Sequence, residues 1–92
     1  MSLARYAKKR DANEADLVTA LEAAGAVVYK LDRPVDLLVG WNGRWTLLEV
    51  KRPKGAVGDA QAAFMHLAGC KGLPAAIVRT AEDALHAIGA IR

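Results

Sequence analysis

The dipeptide Asn42-Gly43 restricts this chain more than any other pair of residues. It lies between two runs with strand character, Val35-Asp36-Leu37-Leu38-Val39-Gly40-Trp41 and Arg44-Trp45-Thr46-Leu47-Leu48-Glu49-Val50. Asn-Gly best tolerates the positive φ angles of a two-residue type I′ turn, so the pattern predicts a β-hairpin. That turn fixes the register. With Trp41 paired to Arg44, Leu38 falls opposite Leu47 and Asp36 opposite Glu49, and directly opposed side chains have Cβ atoms roughly 5 Å apart. Lys51 joins their face because strand side chains alternate with period two.

Two carboxylates that close repel across a strand pair, and a divalent cation between them removes the conflict. Mg²⁺ takes oxygen ligands and keeps several waters, so one or two carboxylates plus a substrate phosphate complete its shell. Such an ion polarises a phosphoryl oxygen and lowers the pKa of an attacking water. Lys51 can hold that water or neutralise charge developing on phosphorus. The chemistry this points to is phosphodiester hydrolysis. The alternative is an Asp at a strand start and a surface Glu/Lys pair at a strand end; the opposed register favours the metal site.

Around the hairpin the pattern predicts a helix from Asp11 to about Ala24, with Leu17, Val18 and Leu21 as its apolar stripe and Gly25 as its stop. Glu14 falls on that stripe and needs a partner there, either a metal site or the Lys51 ammonium. Asp11-Ala12-Asn13-Glu14 also has the spacing of a capping box. Val27 to Leu31 reads as a strand and Asp32-Arg33-Pro34 as a turn. The segment 52–58 has the Pro and Gly content of a mobile loop. A helix from about Asp59 places Gln61, Phe64, Met65 and Ala68 on one face, with Gln61 near an N-terminus that favours anionic phosphate. Ala75 to Val78 is a final strand, parallel to its neighbour. Thr80, with Asp83 three residues on, caps a last helix whose Ala81, Ala84, Leu85 and Ile88 face inward. The order helix, three strands, helix, strand, helix predicts an α/β domain with a four-stranded mixed sheet. Both hairpin faces carry apolar residues, so helices should cover the sheet on both sides.

Pro34-Val35-Asp36, then Glu49-Val50-Lys51, then Gln61 at the head of the next helix resembles the PD-(D/E)xK nuclease superfamily, and within it the small VRR-NUC (virus-type replication-repair nuclease) branch, which includes stand-alone phage proteins. The likeness spans nearly the whole chain, 1–92 as one domain, although Val35 intervenes between Pro34 and Asp36. It implies a restriction-endonuclease-like core, with Asp36 and Glu49 as ligands of Mg²⁺ or Mn²⁺ and Lys51 as the catalytic lysine. Gln61 and Glu14 would complete the site, and the Val50 carbonyl is a further candidate ligand. It also implies an endonuclease acting on branched DNA, such as Holliday junctions or flaps. A symmetric homodimer would then supply two active sites for two strands.

Composition is compatible with this. The 92 residues carry thirteen Lys/Arg against ten Asp/Glu, a mildly basic balance suited to a polyanion. Arg5, Lys8, Lys9 and Arg10 form a basic arm over 1–10, and Arg52 and Lys54 cluster past the proposed metal site. Lys8, Lys9, Arg10, Arg52 and Lys54 are therefore candidate DNA contacts. The single cysteine, Cys70, excludes an internal disulfide and a cysteine-rich zinc site, and a reduced cytoplasm is the expected setting. No stretch reaches the ~20 apolar residues that span a bilayer. His66 and His86 read as isolated helix residues rather than ligands. Trp41 and Trp45 are expected to pack against each other or a partner subunit. The rival reading is a non-catalytic DNA-binding or assembly protein on the same fold.

Overall fold

The turn closes as the dipeptide requires: Asn42 has φ 51° and Gly43 φ 77°. In the computed structural model, which describes residues 10–92, the elements follow the order α1 (Glu14–Ala23), β1 (Val27–Lys30), β2 (Leu37–Trp41), β3 (Arg44–Val50), α2 (Asp59–Cys70), β4 (Ala75–Val78) and α3 (Ala81–Ile88). Lys8 and Lys9 of the basic arm lie outside the described residues. This is an α/β fold with a four-stranded mixed sheet in the order β1-β2-β3-β4. The first three strands pair antiparallel, and β4 joins β3 in parallel. The hairpin register is the expected one, with Trp41 opposite Arg44 and Leu38 opposite Leu47.

One sheet face holds the core. Leu37 and Val39 of β2, Leu48 and Val50 of β3 and Val78 of β4 are buried there beneath Leu17 and Leu21 of α1 and Ala84 and Ile88 of α3. Burying each Leu contributes about 2 kcal/mol, so these alternate strand positions dominate the stabilisation of the sheet. Helix α1 ends where Gly25 adopts φ 96°. Its N–H bonds the Glu22 carbonyl and that of Ala26 bonds the Leu21 carbonyl, at 3.0 Å each, the Schellman pattern that an αL glycine permits. Thr80 caps α3 by accepting the Asp83 N–H at 3.0 Å, as expected.

The opposite face is covered only in part. Helix α2 packs on β4 and contributes nothing to the core beneath α1 and α3, so it lies on the other side of the sheet at one edge. Among the described residues no second helical layer covers β1 to β3, and Val27, Tyr29 and Trp45 are about half exposed. The two tryptophans do not meet, because neighbouring strands place them on opposite faces. Trp41 donates from Nε1 to the Ala24 carbonyl at 3.1 Å. Trp45 lies over Gly40, where an added Cβ would come within 2.9 Å of its ring, and its ring centroid is 6.3 Å from that of Tyr29. Among the described residues no helix is long and apolar enough to cross a membrane.

Candidate active site

Asp36 stands one residue before the last ladder pair, Leu37 opposite Leu48, and there β2 departs from the regular pattern. Antiparallel alternation makes Val50 the next β3 residue to turn its N–H toward β2. That N–H goes to the Asp36 carboxylate, with Oδ2 accepting at 2.7 Å. The N–H and C=O of one strand residue face the same edge, so the Val50 carbonyl also faces the Asp36 strand. The Asp36 carbonyl in turn accepts the Leu31 N–H at 2.7 Å, which fixes the residue from both sides. Asp36 and Glu49 are 6% and 2% exposed. Both carboxylates therefore occupy adjoining strand ends with little water around them.

Each has a cation beside it. The Lys51 Nζ lies 3.3 Å from Glu49 Oε2. The Arg10 Nη1 lies 3.6 Å from Asp36 Oδ1, 3.4 Å from Glu14 Oε1 and 3.3 Å from the Asp36 carbonyl oxygen. Arg10, read from sequence as an arm contact to DNA, is thus placed among the site carboxylates. Glu14 is buried as its place on the apolar stripe implied, and its partner is Arg10 rather than Lys51. Burial pushes its carboxyl above the ordinary 4.5; Arg10 opposes the rise, and the Asp36 charge adds to it.

The capping box does not form. Asn13 is the N-cap of α1 and makes no side-chain bond to the helix. Its Nδ2 instead donates to the carbonyls of Lys51 and Arg79, at 3.0 and 2.9 Å, which ties the helix start to the ends of β3 and β4. Gln61 turns toward its own helix start. Its Oε1 folds back over Gly58, where any Cβ would collide with it, so the carboxamide covers its own helix start.

The segment after Lys51 is held more firmly than its composition suggested. The Gly55 N–H bonds the Arg52 carbonyl at 2.8 Å. Arg79 Nη1 donates to the carbonyls of Arg52 at 2.7 Å, Gly55 at 2.8 Å and Pro53 at 3.4 Å. Arg52 lies at the limit of ion-pair range from Asp11, 4.0 Å, with 69% of its side chain exposed. Two surface depressions meet at Arg52, one lined also by Pro53, Lys54 and Gly55 and the other by Arg10, Asp11 and Ala12.

Among the described residues, no three His, Cys, Asp or Glu side chains converge as a metal-binding group, which disfavours a zinc-type cage. A hard ion that keeps most of its waters needs fewer protein ligands. Two buried carboxylates at adjoining strand ends, with the Val50 carbonyl facing the same edge, fit that smaller set. His66 is less isolated than its spacing was read to be, because Cys70 one helical turn on brings its Sγ within 3.6 Å of His66 Nε2. Two exposed ligands still make no metal site.

Arg79 and Asn13 were missed in the sequence. The parallel pairing of Val50 with Val78 makes Lys51 and Arg79 neighbours, so the strand count carried a signal for Arg79. Nothing in the sequence marks Asn13, whose partners are two backbone carbonyls remote along the chain. Comparison with protein-family models, with curated proteins and with solved structures gives no match.

Proposed function

We propose that this protein is a metal-dependent endonuclease that hydrolyses DNA phosphodiesters, acting on branched structures such as Holliday junctions or flaps in replication, recombination or repair. The observation that carries the reading is the pair of buried carboxylates, Asp36 and Glu49, at adjoining strand ends with the Lys51 ammonium 3.3 Å from Glu49. The resemblance to the PD-(D/E)xK pattern supports it. Asp36 and Glu49 would hold Mg²⁺ or Mn²⁺, with the Val50 carbonyl as a third ligand. When bound, the ion supplies Lewis-acid polarisation of the phosphoryl oxygen and acidifies a water. Glu49 holds the Lys51 ammonium in place, and Lys51 orients the attacking water and offsets charge building on phosphorus. Glu14 and Arg10 set the field around Asp36. Gln61, at the head of α2, would complete the site as the resemblance implies. Arg52 and Lys54 contact backbone phosphates, and a symmetric dimer provides two sites for two strands.

The test is cleavage of labelled four-way junction, flap and duplex DNA with Mn²⁺, Mg²⁺ or EDTA. Metal-dependent cutting of branched DNA is expected. Lys51→Ala should still bind but cut more slowly by on the order of 10²–10⁴-fold, and Asp36→Asn should lose metal affinity. One observation favours a non-catalytic DNA-binding protein: Arg10 and Lys51 already compensate the carboxylates. Binding by the wild type without cutting under any metal condition would decide for that reading.

A further inference from the structure

Three backbone carbonyls turned onto one guanidinium are an uncommon way to order a surface loop. Between Lys51 and Gly58 the chain belongs to no helix or strand. A loop with so little ladder bonding normally loses entropy when it is ordered on a ligand, and that loss weakens binding. Here the Arg52, Pro53 and Gly55 carbonyls all accept from Arg79 Nη1, at 2.7, 3.4 and 2.8 Å. Their inward turn leaves the Arg52 and Lys54 side chains on the solvent side, both exposed.

Arg79 is itself anchored at two points. Its backbone N–H donates to Asp83 Oδ2 at 2.9 Å. Its carbonyl shares the Asn13 side-chain amide with the carbonyl of Lys51, at 2.9 and 3.0 Å. The loop is therefore referenced to the same point as the residue proposed to orient the attacking water. The acceptors on the guanidinium are neutral carbonyls. Among the described residues the ion pairs involve Arg10, Lys51, Arg52 and His86, and none involves the Arg79 guanidinium. Arg52 and Lys54 on the loop and Arg79 beneath it thus bring three cations together.

We propose that Arg79 is a positioning residue that pre-forms the 52–55 loop as a binding site for the phosphodiester backbone of DNA, holding Arg52 and Lys54 in register with Lys51. The proposal rests on the nucleic-acid reading above, and deepens it by adding a residue that acts through its neighbours rather than on the substrate. A side chain that merely filled space at the end of β4 would have no coupling to Arg52 and Lys54.

The experiment is a double-mutant cycle on the full chain, with labelled four-way junction DNA in EDTA so that nothing is cut. Affinity is measured over a salt series for wild type, Arg79→Met, the pair Arg52→Ala/Lys54→Ala, and the triple variant. The Arg52/Lys54 pair should lower the salt slope by about two, one per phosphate contact. Arg79→Met should weaken binding roughly tenfold and lower the slope in the same sense, yet change affinity less than about twofold in the Arg52/Lys54 background. Arg79→Lys keeps the charge on a compact ammonium, and trypsin should cut after Lys54 roughly tenfold faster in it than in the wild type. That variant carries the comparison if Arg79→Met does not fold. An unchanged affinity in Arg79→Met, or an equal loss in both backgrounds, overturns the role of Arg79 and leaves the nuclease reading intact. Wild-type affinity in the Arg52/Lys54 pair overturns the loop as a phosphate site, and the role of Arg79 with it.

Discussion

Glu14 shows how a single carboxylate reports on its surroundings. It is 3% exposed and lies beside Arg10 and Asp36, and burial dominates by raising its pKa above 4.5. A carboxyl whose pKa rises on folding binds more protons in the folded than in the unfolded state between those two values. Stability therefore grows as pH falls through that window and declines as pH rises through it. The wild type should gain stability relative to Glu14→Gln on acidification from neutral pH toward 4.5, as read by urea unfolding at several pH values. A difference independent of pH would mean that the Arg10 guanidinium fully offsets the burial. The same residues show what the basic run alone did not reveal about Arg10, which lies beside Glu14 and Asp36. Its position in a basic run suggested a DNA contact, whereas an ion pair to Glu14 four residues on and a bond to the Asp36 carbonyl draw it inward.

At the scale of the element, α3 carries more than its length suggests. It begins immediately after Arg79, its Thr80 hydroxyl accepts the Asp83 N–H, and the Asp83 carboxylate accepts the Arg79 N–H. The helix start therefore orients the residue that orders the 52–55 loop. Thr80→Ala should cost about 1 kcal/mol of global stability, measured by denaturant unfolding, and should also loosen the loop, seen as faster trypsin cutting after Lys54. A loss of stability with unchanged cutting would separate the cap from the clamp. The hairpin was the most legible element in the sequence, because a two-residue turn and a period-two pattern leave one register. Helix α2 was legible as a helix but not in its placement, since its apolar stripe does not say how many strands it will cover.

At the scale of the whole molecule, the sheet face left open among the described residues is the main unpaired feature. Val27, Gly40 and Trp45 align across β1, β2 and β3. Continuing the parallel register from Leu47 and Ala75 brings Leu73 into the same row. Val27, Tyr29, Trp45 and Leu73 are each more than half exposed, on a domain small enough that its own core is modest. This face supports the proposed symmetric dimer. Sedimentation velocity should find concentration-dependent self-association of the wild type, and Trp45→Lys should weaken it roughly tenfold or more, as expected for an aromatic anchor. A wild type that remains monomeric at every concentration would remove the dimer from the mechanism.

The sequence by itself determined the order of elements, the hairpin register, the stop at Gly25 and the cap at Thr80. Each depends on local rules, namely turn chemistry, alternation and capping, which act over a few residues. Only the tertiary structure decided that Arg10 would join Asp36 and Glu14, that Asn13 would leave its helix cap to bind the Lys51 and Arg79 carbonyls, that Gln61 would fold over Gly58, and that Arg79 would gather the 52–55 loop. Those contacts join residues far apart in the chain, or choose among rotamers that one helix turn leaves equally open. Their partners are set by how α1, β3 and β4 converge, because buried polar groups must find hydrogen bonds wherever packing places them.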